Sequence, residues 1–143
     1  MAIIDHSILN DKNMSIIENE YIKLGVNLGL GGAVTYLAEL GYDNLINSFD
    51  WGRQVQMPFY SGPNPFTPRG KQPRPEWRGH GWNPIQSGDS FGNRARILEH
   101  KNTGDEIYVK CIPMQWRLDN EPGECTFETR CRHDGRSVVI ESR

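Results

Sequence analysis

The sequence predicts an all-β fold, in the form of an antiparallel β-sandwich. Short segments of alternating apolar and polar residues recur along the chain, and turn-forming residues separate them. No segment of about 12 residues shows the apolar repeat of an amphipathic helix. The 143 residues fit one domain, residues 1–143, which is long enough to bury about two-thirds of its unfolded surface.

The first part of the chain predicts three strands. Asn19-Glu20 is a suitable hairpin turn, and residues 28–32 (LGLGG) are too rich in glycine for a helix and predict a bulge or a tight corner. The predicted elements are, in order, a strand at 15–18, a strand at 21–28, the corner, a strand at 33–39 and a turn at 41–44.

A proline-rich loop of about residues 58–84 interrupts the pattern. Its prolines lack the amide hydrogen that a strand or a helix needs, so no regular element can run far. A structureless segment of this length inside a compact domain is more often a functional loop than a spacer.

Two hairpins are predicted after the loop. Their turns are Asn102-Thr103-Gly104-Asp105 and Asp134-Gly135, and the strands are expected at 94–101, 106–116, 125–133 and 137–143. The last segment ends without a turn signal and would leave an unpaired edge. We therefore expect the chain to be the N-terminal part of a longer protein, with a complete domain that ends in an edge strand as the alternative.

Composition limits the partners of the protein. The 16 basic and 18 acidic residues nearly cancel, which argues against nucleic acid as a partner, although residues 51–100 hold seven basic and three acidic groups. A membrane partner is not expected, because no long apolar run is present. The acidic start of the chain does not fit a secretion signal, so we expect a cytoplasmic protein or an exported one whose leader has been removed. Nothing in the sequence indicates an oligomeric state.

Three cysteines, none in a C-x-x-C pair, argue against both a zinc site and a disulfide framework. Cys125 and Cys131 are six residues apart and would share one face of a continuous strand, so we expect both to be small core residues. No metal and no cofactor is predicted.

Residues 50–93 combine flat rings with hydrogen-bonding side chains, and hold three of the four Trp and seven of the nine Pro. Sugars offer C–H faces that pack on rings and hydroxyls that need polar partners. The segment therefore predicts a carbohydrate-binding surface. An aromatic-rich crossing loop without a ligand is the simpler alternative.

Several motifs in order resemble the galactose mutarotase-like (aldose 1-epimerase-like) β-supersandwich superfamily. They are Gly32-Ala33 in a strand, Asn44-Leu45, Gly52-Arg53 followed by Gln56, and the later WNPIQSGDSFGN, and they lie between residues 32 and 93. The resemblance implies a cleft that holds a sugar, an Arg that binds hydroxyls, a His acid and a Glu base. Arg53 matches the Arg; the surroundings of His80 differ from the family's His motif, and no residue here matches the late Glu.

The resulting hypothesis is carbohydrate recognition, with enzyme activity left open. Arg53 and Gln56 would bind hydroxyls, Trp82 or Tyr60 would stack on a sugar ring, and His80 or Asp89 would be the local candidate for proton transfer. The remaining residues expected in the cleft are Asn83 and Gln86.

Other functions stay as alternatives. Epimerase, polysaccharide lyase or hydrolase chemistry would need two proton-transfer groups. For a hydrolase the candidate pair of carboxyl groups is Asp50 and Asp89. Exposed Trp, Tyr and Arg also suit a protein–protein interaction module. Basic and aromatic residues between 66 and 82 make single-stranded nucleic acid a minor alternative.

Overall fold

The structure is a computed structural model, and it describes residues 13–46, 55, 59–60, 84–85, 95–115, 121–123 and 125–143. Within these ranges the chain is all-β, as predicted. The strands are β1 (Met14–Glu18), β2 (Ile22–Asn27), β3 (Ala33–Glu39), β4 (Phe59–Tyr60), β5 (Pro84–Ile85), β6 (Arg96–Asn102), β7 (Glu106–Ile112), β8 (Met114–Gln115), β9 (Glu121–Pro122), β10 (Phe127–Asp134) and β11 (Ser137–Ser142).

Two antiparallel sheets form the layers of the sandwich. One has the strand order β1-β2-β3 and the other the order β11-β10-β7-β6. Two short pairs, β4-β5 and β8-β9, accompany them. Among the described residues no helix has the length and apolar character needed to cross a bilayer.

The β1–β2 hairpin turns where the sequence predicts. The Asn19 side-chain oxygen accepts hydrogen bonds from the backbone N–H groups of Tyr21 and Ile22, both at 2.9 Å. A short Asn side chain that binds the backbone two and three residues ahead closes such a turn locally.

The glycine-rich corner contains one turn of 3₁₀ helix, Leu28–Leu30, before the chain enters β3. Gly31 and Gly32 follow with φ angles of 65° and 84°, a region that favours glycine. At Gly32 the backbone also approaches the opposite sheet, because a Cβ there would lie 2.8 Å from the Cβ of Val109. The predicted tight corner is therefore present, with a single helical turn inside it.

The second sheet contains both predicted C-terminal hairpins. β7 is shorter than expected: it ends at Ile112 rather than at 116, since Pro113 has no amide hydrogen to continue the ladder. Beyond that proline the chain forms β8, which pairs with β9.

The core lies between the sheets. Leu24, Val26 and Val34 of the first sheet pack against Ile107 and Val109 of the second, and all five are at most 2 % exposed. Cys131 belongs to this cluster, and Cys111 is buried beside Phe127. Cys125 does not fit the prediction: it is exposed and precedes the start of β10, so it is not part of the buried face of that strand.

Polar groups also join the two sheets. The Asn102 amide donates to Ser15 Oγ at 3.0 Å and to the Ile16 carbonyl at 2.9 Å, and His100 Nε2 lies 2.8 Å from Ser15 Oγ. At another point the Asn19 amide donates to the Gly135 carbonyl at 2.8 Å. These hydrogen bonds fix how one layer sits on the other, because they are directional whereas apolar contacts are not.

Candidate functional site

Most of the predicted sugar-binding residues lie outside the described residues. These are Arg53, Gln56, His80, Trp82, Asn83, Gln86 and Asp89. For Tyr60 the structure describes the backbone only. Their assigned roles therefore stay predictions.

The described residues do give two fixed points of the predicted binding segment. Val55, which lies between Arg53 and Gln56 in the sequence, bridges to Val34 at the edge of β3, where the Val34 N–H donates to the Val55 carbonyl at 2.8 Å. Further along, β4 pairs with β5, so that Tyr60 stands opposite Pro84. Residues 59–60 and 84–85, at the two ends of the proline-rich loop, thus belong to one ladder.

Asn44 covers another part of the same β3 edge. Its side-chain oxygen accepts from the N–H groups of Leu37 and Ile46, at 2.9 and 3.0 Å, and its amide donates to the Thr35 carbonyl at 2.9 Å. The Asn44 side chain therefore makes the hydrogen bonds to β3 that the backbone of a neighbouring strand would otherwise make. The loop that it holds presents Tyr42 and Leu45 to solvent, 71 % and 77 % exposed.

A second surface, which the sequence analysis did not single out, lies on the outer face of the four-stranded sheet. Tyr108 of β7 stands opposite Lys101 of β6 and Arg130 of β10. The Arg130 guanidinium lies over the Tyr108 ring, 4.4 Å from the ring centre, and covers it so that Tyr108 is only 8 % exposed.

A depression of about 280 Å³ opens at this point, which we call the sheet depression. It is lined by Glu99, Lys101, Thr103, Glu106, Tyr108 and Arg130. Its four charged side chains form two ion pairs: Lys101 Nζ is 2.7 Å from Glu99 Oε1, and Arg130 Nη1 is 2.8 Å from Glu106 Oε1. The depression is therefore polar, and its charges cancel within it.

The pKa shifts of Glu99 and Lys101 in the sheet depression argue against either group as a proton-transfer residue. The hydrogen bond and the charge of Lys101 lower the pKa of Glu99, and Glu99 in turn raises the pKa of Lys101. Both groups are thus held in their charged forms around neutral pH. A general acid or base works best with a pKa near the working pH, which neither of these residues approaches.

The buried polar and thiol groups of the described residues do not form a reactive site. His133 has a buried Nε2 with no hydrogen-bond partner, 3.8 Å from the carboxylate of Asp105. Burial raises the pKa of the Cys111 and Cys131 thiols to about 11, which keeps them protonated and poor nucleophiles. Within the described ranges no three His, Cys, Asp or Glu side chains come together as a metal site.

Comparison with known proteins adds no family: no family model matches the chain, and neither the curated proteins nor the solved structures give a match.

The sheet depression was not predicted because its residues alternate with core residues along each strand, and this pattern predicts an ordinary solvent-exposed face. The predicted turn at residues 102–105 would place Lys101 opposite Glu106, whereas in the structure Lys101 lies opposite Tyr108, so the sequence contained no signal for which side chains meet there.

Proposed function

We propose that the protein recognises a carbohydrate through residues 50–93, with Arg53 and Gln56 binding hydroxyls and Trp82 or Tyr60 stacking on a sugar ring. The observation that carries the proposal is the Val34–Val55 bridge. It attaches the backbone between Arg53 and Gln56 to the edge of the sandwich. A binding residue is effective when a rigid element positions it, and β3 is such an element.

Two further features support this proposal. The side chains of residues 50–93 have the rings and the amide, carboxylate and guanidinium groups that sugars require. The motifs around Asn44-Leu45 and Gly52-Arg53 resemble those of galactose mutarotase-like proteins. In the described residues the Asn44 side chain is bound to β3 by two hydrogen bonds and to the Ile46 N–H by a third, which gives this motif a structural role beside the proposed site.

Isothermal titration against a glycan panel tests the proposal. Arg53→Ala should weaken binding of the cognate saccharide by about 1–3 kcal/mol, because the hydroxyls that it binds lose a charged donor. Arg96→Ala is the matched control, since it removes the same side chain from an exposed position on β6. Equal affinities of Arg53→Ala and the parent protein would show that Arg53 does not bind the sugar.

A binding role is favoured over catalysis of anomer interconversion. Acid–base catalysis on a sugar needs one group that gives a proton and one that takes it. For anomer interconversion His80 and Asp89 are the candidates in the sequence, and no residue here matches the late Glu of the resembled family. We expect no acceleration by these 143 residues in NMR exchange on glucose and galactose, whereas catalysis that His80→Ala abolishes would establish an enzyme.

A protein–protein interaction module is the second candidate. It is favoured by the exposure of Leu40, Tyr42 and Leu45 in the loop after β3, respectively 41 %, 71 % and 77 %. Tyr is enriched among the residues that dominate interfaces. A double variant, Tyr42→Ser with Leu45→Ser, should leave saccharide affinity unchanged if the carbohydrate proposal is right and residues 50–93 alone make the contacts.

A further inference from the structure

The sheet depression has features of a second ligand site, formed by residues outside the segment 50–93. It lies on strands β6, β7 and β10, on the face of the sheet opposite the core residues Ile107, Val109 and Cys131. A volume of about 280 Å³ is close to the lower end of ligand pockets. It is suited to a single sugar ring or a similar small molecule.

The charges select the kind of ligand. An anion that approached Lys101 or Arg130 would also meet Glu99 and Glu106, and a cation would meet the reverse arrangement. Either ion would lie close to a like charge as well as to an opposite one, so the net gain in electrostatic energy would be small. The pairing therefore disfavours charged ligands.

Hydroxyl groups, in contrast, can use the hydrogen-bonding capacity that the ion pairs leave over. A carboxylate has about four acceptor positions, an ammonium three donors and a guanidinium five, so one ion-pair contact leaves most of them available. The side chains remain accessible: Lys101 is 68 % exposed and Arg130 is 47 % exposed. Since a hydroxyl both donates and accepts, it can bind to either member of a pair without separating it.

We propose that the sheet depression binds a neutral saccharide or polyol, with Glu106 and Lys101 as hydrogen-bonding partners of its hydroxyls. The site is formed by β6, β7, β10 and the turn between β6 and β7, so it does not depend on whether residues 50–93 bind sugar. Its open shape and small contact area predict an affinity in the millimolar range, which is usual for a ligand of about 12 heavy atoms.

NMR titration of the full chain, with ¹⁵N labelling, tests this site. Glucose is the neutral probe, and glucuronate and glucosamine are the charged ones. We expect saturable shifts of the Thr103, Glu106 and Arg130 amide resonances with glucose, and the same shifts in Arg53→Ala. Shifts with the charged probes alone, or no saturable shift with glucose, would overturn the proposal.

Two matched pairs of variants separate binding from general effects of charge. Glu106→Gln and Lys101→Met change the sheet depression, and each should weaken glucose binding by about threefold to tenfold, because charge-assisted hydrogen bonds are lost. Glu18→Gln and Lys23→Met change the ion pair at 3.0 Å between Lys23 and Glu18, which lies on β1 and β2 in the other sheet. Equal effects of the two pairs would refute the assignment, and unchanged core resonances verify that each variant is folded.

Discussion

Replacement of Gly32 by alanine is expected to destabilise the sandwich by about 2–5 kcal/mol. Two costs add at this position. The positive φ of 84° costs about 1–2 kcal/mol for a residue with a Cβ. The new Cβ would also lie 2.8, 2.9 and 3.0 Å from the Cβ, Cγ2 and Cγ1 atoms of Val109, and overpacking of this kind costs about 1–3 kcal/mol.

Gly41→Ala separates these two costs. Gly41 has nearly the same φ, 85°, but a Cβ at this position would have no atom within 4 Å. The difference between the unfolding free energies of the two variants, measured by urea denaturation, should therefore equal the packing cost, about 1–3 kcal/mol. Val109→Ala should recover part of this difference in the Gly32→Ala background, because it removes two of the three crowded carbon atoms. Equal destabilisation by Gly32→Ala and Gly41→Ala would refute the close approach of the two sheets.

Three further predictions concern the edge of β3 and the thiols. Asn44→Ala should lower the unfolding free energy by about 1–3 kcal/mol, because Leu37 N–H and the Thr35 carbonyl lose their partners; Asn44→Asp, which can still accept but not donate, should lie between it and the parent. The unfolding free energy should fall as the pH rises from about 9 to about 11, by about 2–3 kcal/mol for each of Cys111 and Cys131, because burial raises their folded pKa to about 11 and the unfolded thiols ionise first. Cys131→Ala should halve the slope of unfolding free energy against pH, and an unchanged slope would contradict this prediction. In the folded protein one thiol, that of Cys125, should react rapidly with a thiol reagent, and rapid labelling of Cys125→Ser would contradict the burial of the other two.

Local signals in the sequence were sufficient for much of the fold. The hairpin turns at Asn19 and at Asp134-Gly135 depend on residues that are close in sequence, and both lie where they were predicted. Features that depend on residues distant in the sequence were harder to predict. The alternation of β7 predicts that Tyr108 faces away from the core, but its burial depends on Arg130, 22 positions later and on another strand.

The errors have similar causes. Cys125 was assigned to the core on the assumption that its strand was continuous to Cys131, whereas the described strand begins only at Phe127. The predicted strand through Pro113 ignored the missing amide hydrogen at that residue. For the candidate site, composition can indicate a ligand class. The positions of Arg53 and Trp82 relative to one another could not be predicted, because residues 50–93 show no periodic pattern of apolar residues.

The hydrogen bonds of Ser15 with His100 and Asn102 join positions that are 85 and 87 residues apart. The chain between Ser15 and His100 therefore begins and ends at residues that are hydrogen-bonded to each other across the two sheets. Because the entropy of closing a loop rises only slowly with its length, a change in the number of residues between β4 and β5 should add little to the entropic cost of closing the chain. The two layers can thus serve as a constant frame for connecting segments of other lengths and side chains, a property that suits the grafting of foreign binding loops.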